Sequence, residues 1–274
     1  MATFFGEVLQ VISRAVDDDD EEDETICLKS DPYIYWSKSF RTELGQHPDY
    51  RATCDILVIA FGAAAAGFVN TCIKHSKYDL IGGIFSGLQN QDSQTLMQQS
   101  LNDKKCYIYR SSESLSTFIC LCNADVAVEQ SSSWVNQLFS GLRTQNAFVL
   151  VLNTSHASRF ISDVPTSDLS LPILRGLKTS HFPDKLICPV LEQPNLMTGV
   201  PAQVMTHCQV HGIKGVLYQC YTSARNLVDT ATIKAFWPVL SSTSIKDFVQ
   251  KNTNTEKQLQ DIVKLHAVHD TLYL

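Results

Sequence analysis

Asp55-Ile56-Leu57-Val58-Ile59-Ala60-Phe61-Gly62 is six consecutive apolar residues between an acid and a glycine. A run this short and this continuous predicts a strand buried on both faces, as in a parallel sheet. Ala63 to Lys74 follows as a helix whose small residues suit close packing on that strand. Strand and helix together predict an α/β unit.

The pattern repeats downstream. Ile81 to Phe85 is a shorter strand. Cys106 to Arg110 and Thr117 to Asn123 are two more, divided by the hairpin-like break Ser111-Ser112-Glu113-Ser114. Glu129 to Leu142 predicts a helix, with Trp134, Leu138 and Leu142 at fourfold spacing and Val135 beside them. Phe148 to Leu152 is another buried strand. Residues 153–185 are polar, with Pro165 and Pro172, and are expected as loop plus a short helix. Pro189-Val190-Leu191 leads into the turn Gln193-Pro194-Asn195. Pro201 to His211 is a helix with Pro at its first position and Gly212 at its end. Gly215 to Tyr221 is the last strong strand. Thr230 to Leu240, Ser244 to Lys251 and Glu256 to Ala267 are expected as helices, the last with Leu259, Ile262, Val263 and His266 on one stripe. Upstream, Tyr33-Ile34-Tyr35-Trp36 suits a strand or a docked extended segment. The expected fold is a single three-layer α/β domain with a largely parallel central sheet flanked by helices. The expected division is a disordered segment over 1–30, the α/β domain over 31–268, and a flexible tail over 269–274.

The formal net charge of -6 is concentrated in one place. Asp17 to Glu24 holds eight acids in eight positions, so of the 28 Asp and Glu only 20 remain against 22 Lys and Arg. Such a block repels itself and stays solvated, although it could also meet a basic partner. The near-neutral remainder carries no basic stripe, which argues against nucleic acid. Met1 to Ser13 lacks the pattern of a signal peptide, and no apolar run approaches the ~20 residues of a membrane span. Nine cysteines without framework spacing predict reduced thiols that act as small core hydrophobes in the cytoplasm. Cys120 and Cys122 point to one face of their strand, which makes a functional pair the alternative to core packing.

Gly62-Ala-Ala-Ala-Ala-Gly67 opens a helix after a strand, where phosphates bind. Phe68-Val69 replace the Lys-Ser/Thr of a P-loop, and Ala64 replaces the second Gly of a dinucleotide fingerprint, so close helix–strand packing is the plainer reading. His207 and His211 stand at i, i+4, a spacing that can hold zinc, but no third ligand follows. His266 and His269 suit a helix C-terminus. Ser155-His156 are adjacent and so poorly placed to face each other, and Glu192 and Asp229 have no evident pairing. No nucleophile stands with a recognisable base. The expectation is therefore a binding protein with no catalytic residues, metal or cofactor. The end of the chain, Thr271-Leu272-Tyr273-Leu274, offers different chemistry. A frayed tail can enter a slot between two subunits: the carboxylate meets a Lys, Tyr273 fills an apolar slot and donates a hydrogen bond, and Leu272 adds buried area.

Cys188-Pro-Val-Leu-Glu-Gln-Pro-Asn195, Val200-Pro-Ala202, Cys208-Gln-Val210 and Val216-Leu-Tyr-Gln-Cys-Tyr-Thr222 resemble the proteasome assembly chaperones. So do Ala2-Thr-Phe-Phe-Gly-Glu-Val8 and Lys234-Ala-Phe-Trp-Pro-Val-Leu-Ser241. The resemblance is strongest over 186–250 and the first eight residues. It implies a single α/β sandwich and a heterodimer with assembly chaperone 2, seated on the outer face of the proteasome α-subunit ring. There the pair would favour correct ring formation and block off-path association. It also implies that Leu272, Tyr273 and Leu274 dock between α-subunits. The implied location is the cytoplasm, with the nucleus or the endoplasmic reticulum as further sites. The alternative is an α/β enzyme acting on a nucleoside or phosphorylated small molecule, which a cavity lined by Gly62, Ala63 and an acid would support. A third reading is a thiol or zinc module at His207, Cys208 and His211.

Overall fold

The computed structural model describes residues 31–74, 77–86, 97, 105–165, 168–223, 229–241, 257, 259–261, 263 and 264. They belong to the unit Asp31–Leu274. The expected helix over Ser244 to Lys251 and the acidic run Asp17 to Glu24 lie outside them.

Eight strands form one mixed sheet. Its centre is parallel. β3 (Ile56–Phe61) lies between β6 (Thr117–Cys122) and β8 (Phe148–His156), and β8 continues to β10 (Lys214–Thr222). On one side β5 (Cys106–Ser111), β4 (Tyr78–Phe85) and β1 (Tyr33–Trp36) add antiparallel to β6. On the other, β9 (Ile173–Lys178) adds antiparallel to β10. β2 (Ala52–Thr53) and β7 (Leu142–Arg143) pair apart from this sheet. The continuous apolar runs occupy the parallel centre, where helices cover both faces.

Alternating side chains divide that centre into two cores. Leu57, Ile59, Val149, Val151 and Leu217 are fully buried on one face. They lie under α1 (Lys38–Leu44), α3 (Ser131–Ser140) and α4 (Gly199–Val210). Val58, Ala60, Leu150, Leu152 and Val216 fill the other face. They lie under α2 (Ala63–Cys72), α5 (Thr230–Lys234) and the 3-10 turn Trp237–Ser241. Leu259, in the described part of the last helix, is fully buried in this second core. Each such aliphatic side chain contributes roughly 1.5–3 kcal/mol by leaving water.

Several expectations need correction. Residues 153–185 are not loop plus a short helix: β8 runs on to His156, a 3-10 turn covers Ala157–Arg159, and β9 occupies Ile173–Lys178. The helix expected over Thr230 to Leu240 breaks after Lys234, because Pro238 has no N–H to continue it. The helix expected from Glu129 begins as a 3-10 turn at Val128–Gln130, and Leu142 pairs with Ala52 as strand. α4 starts at Gly199, which makes Pro201 its third residue. α1 was not expected, although Ser37 caps it by accepting from the Phe40 N–H at 3.3 Å. Both carboxylate oxygens of its Glu43 accept from the Arg110 Nη1 at 2.8 Å, and that guanidinium lies over the rings of Phe40 and Phe118.

The uniform reduced-thiol expectation also changes. Cys106 and Cys122 are joined as a disulfide across β5 and β6, with Cα atoms 4.1 Å apart. They are directly opposed residues in the wider gap of the ladder, where facing side chains come closest. Cys54, Cys72, Cys120, Cys208 and Cys220 are free and buried. Burial pushes the thiols of Cys120, Cys208 and Cys220 up to about 12, so they behave as small apolar groups.

Two glycines from distant elements hold Trp36. A Cβ on Gly82 would stand 2.6 Å from its ring, and one on Gly141 2.5 Å. Indole packing at this depth therefore requires glycine on both sides.

Candidate functional site

The proposed docking residues Leu272, Tyr273 and Leu274 lie outside the described residues, as do His266 and His269. Among the described residues, the surface feature with a built interior is a crevice at the C-terminal ends of the central strands.

Register builds this crevice. On the face covered by α3 and α4, Ile59, Val151 and Leu217 form an apolar row across three parallel strands. Two residues further, the row reads Phe61, Asn153 and Gln219. The Asn153 Nδ2 donates to the Gln219 Oε1 at 2.6 Å, and the Gln219 Nε2 donates to the Cys220 carbonyl at 3.1 Å. Gln219 is only 1% exposed. Beyond this row opens a volume of about 370 Å³. Its walls come from the end of β6, where Asn123 to Val126 leave the sheet, and from Leu196 to Pro201 at the start of α4. Gly62 lies at its base with φ 85°, a left-handed conformation that suits glycine at the turn into α2. The Asn123 Oδ1 is buried there without a hydrogen-bond partner. Asp125 and Arg159 are the described charged residues in the lining, and Val128 and Leu196 expose apolar surface at its margin.

The Gly62 stretch is thus a strand-to-helix turn with Ala64, Ala65 and Ala66 buried against the sheet. Gly62 and an acid line the cavity, while Ala63 is not among its lining residues. Sequence reading missed Asn123, Asn153 and Gln219. The signal was present as an amide directly after each apolar stretch: Asn123 after Thr117–Cys122, Asn153 after Phe148–Leu152 and Gln219 after Val216–Tyr218.

The other candidates separate. His207 and His211 stack face to face at 4.0 Å, and Phe139 stacks on His207 at 4.1 Å. Burial, with the neighbouring His211, pulls His207 down to about 4, so His207 is neutral packing near pH 7. Among the described residues no group of three metal-ligating side chains occurs. Glu192 binds Arg175 of β9 at 2.7 Å, and that bond holds its carboxyl below the usual range. Asp229 caps α5 by accepting from the Thr232 N–H at 2.6 Å. His156 accepts from the Ser158 N–H at 3.2 Å, and its Nδ1 lies 2.8 Å from the Ser158 hydroxyl, so it caps a turn and does not pair with Ser155.

The Glu-Gln-Pro-Asn block organises the β9 margin. Asn195 accepts from the Ile161 N–H at 2.7 Å and donates to the Ile161 carbonyl at 2.9 Å. Its Nδ2 also donates to the Glu192 carbonyl at 3.1 Å. With Glu192 on Arg175, the block ties two surface segments to the last strand of the sheet.

Comparison with known proteins places this architecture. The family model described as Proteasome assembly chaperone 4 matches residues 1–274. The chain is 35% identical to Proteasome assembly chaperone 1 of Xenopus laevis over 289 residues, which covers 100% of both chains. A crystal structure of a protein with unknown function from Thermoplasma acidophilum aligns with a TM-score of 0.55 at 12% identity, covering 86% of this chain and 94% of that one. Pyrococcus furiosus PbaA, an archaeal homologue of proteasome-assembly chaperone, aligns with a TM-score of 0.50 at 13% identity, covering 82% of this chain and 97% of that one. These two structures show the shared fold. The full-length family match and the full-length relative show more: this chain belongs to the proteasome assembly chaperone family.

Proposed function

We propose that this chain promotes 20S proteasome assembly in the cytoplasm as a heterodimer with assembly chaperone 2, favouring α-ring formation and blocking off-path association. The observation that carries the reading is the match along the whole chain to relatives named Proteasome assembly chaperone 1. The protein works by binding and not by catalysis. Among the described residues the candidates Glu192, Asp229, His156, His207 and His211 are engaged in caps, ion pairs or ring stacking, which supports that reading. In this proposal the tail Leu272-Tyr273-Leu274 supplies the docking chemistry, a carboxylate and a phenol entering a slot between α-subunits.

The test is deletion of 272–274 in the full chain co-expressed with assembly chaperone 2 and α-subunits. The expected outcome is loss of co-purifying α-subunits with an unchanged melting temperature, since terminal residues seldom hold a core. Undiminished co-purification would remove the tail from the mechanism. Failure to recover a heterodimer at all would overturn the partner assignment.

A further inference from the structure

The crevice at the strand ends has a lining that a purely structural layer does not require. Hydrocarbon fills this face up to the row of Ile59, Val151 and Leu217. The next row places two primary amides, Gln219 buried and Asn153 partly buried, and buried amides are unfavourable unless bonded. Their mutual bond uses one donor of Asn153 and the Oε1 of Gln219, whose Nε2 already donates to the Cys220 carbonyl. Asn123, on another wall, keeps a buried amide atom with no partner at all. Oxygen and nitrogen of that amide exchange on a flip, so the ligand atom it meets is a donor or an acceptor according to its orientation. A ligand that brings both donors and acceptors satisfies the site in either orientation.

The remaining lining narrows the ligand. Phe61, Met197, Val200 and Pro201 offer apolar surface to the faces of a planar ring. Ser155 and Thr198 add hydroxyls. The charges are balanced, Asp125 against Arg159, so a polyphosphate would find too few cations. The volume of about 370 Å³ lies within the range of small-molecule sites. Its position, outside the carboxyl ends of parallel strands in an α/β sheet, is where such folds bind ligands. Asn and Gln amides read nucleobase edges by paired donor and acceptor contacts. We infer that this crevice binds a neutral nucleobase or nucleoside through the amides of Asn123 and Asn153, the second held in place by the buried Gln219. The inference does not depend on the chaperone reading.

Calorimetric titration and saturation-transfer NMR on the full chain test this with adenosine, guanosine, cytidine and uridine, against ribose and inorganic phosphate. At least one nucleoside should bind, and neither ribose nor phosphate should. Asn123→Leu should weaken that binding about tenfold or more while the melting temperature holds, because one ligand bond is lost. Ser155→Trp, which fills the crevice from β8, should abolish it. The proposal is overturned if none of the four nucleosides binds at millimolar concentration. It is also overturned if phosphate binds as well as any nucleoside, or if binding survives both substitutions in folded protein.

Discussion

The parallel centre and the β9 margin are neighbours in one sheet, yet they are held by different physics. Val149, Leu150, Val151, Leu152 and Leu217 are 0% exposed, and their stabilisation is apolar area removed from water on both faces. β9 presents Ile173, Leu174 and Arg175 half-buried and ends with an exposed Lys178. It depends on directed bonds: Arg175 to Glu192, Asn195 to Ile161, and the Gly176 N–H to the Pro189 carbonyl at 2.9 Å. The comparison teaches that a strand buried on both faces is specified by its own residues. A margin strand is specified by what distant segments bring to it.

The largest expected effect tests the centre. Leu217→Ala removes a fully buried side chain in the middle of β10 and should lower unfolding stability by about 3 kcal/mol, read by urea denaturation. A loss no greater than that of a margin substitution would erase the contrast. Next comes Asn195→Ala, which strips three hydrogen bonds from the β9 side and should lower stability by about 1–2 kcal/mol. Limited proteolysis should then cut first near Ile161, with β8 and β10 intact. Simultaneous loss of both regions would show that the margin is not a separate unit.

Acid should distinguish them again, with the smallest effect. His207 sits on α4 over the central face with its value lowered to about 4 from 6.5. The unfolded chain therefore takes up the proton first. The stability linked to His207 is fully present above about pH 6.5 and drains away as pH falls toward 4. Glu192 on the margin is also lowered, but from 4.5, so its contribution fades only at still lower pH. Unfolding free energy followed by urea denaturation from pH 7.5 to 4 should fall less steeply in His207→Gln, by about 1 kcal/mol once the linkage is discounted for solvent screening of a half-exposed ring. Parallel descents for wild type and variant would remove His207 as the titrating group.

The same contrast explains what sequence made legible. Ile56 to Phe61, Phe148 to Leu152 and Gly215 to Tyr221 announce themselves because two-sided burial leaves almost no polar position in the run, Gln219 being the exception. Ile173-Leu-Arg-Gly-Leu-Lys178 mixes polar and apolar residues without a clean period, since only its contacts with β10 and with residues 186–191 make it a strand. α1 was legible in principle from Ser37 as a cap and from Phe40 and Leu44 at fourfold spacing. The disulfide required knowing that β5 and β6 pair with Cys106 opposite Cys122. The crevice amides were visible as interruptions in apolar strands, but their convergence is a product of register. The resemblance block at 188–195 identified the family, while its physical work, fastening a margin, appears only in three dimensions.

Trp36 sets a practical boundary for anyone trimming the chain. Its indole occupies a slot whose walls, Gly82 and Gly141, leave no atoms of their own to close the gap if β1 is removed. A shortened protein that starts after this residue would expose Phe40, whose ring lies 5.0 Å away, together with the glycine-lined groove. Truncations aimed at removing the acidic leader should therefore begin ahead of Tyr33, so that the first strand of the sheet and its anchoring ring travel with the body they seal.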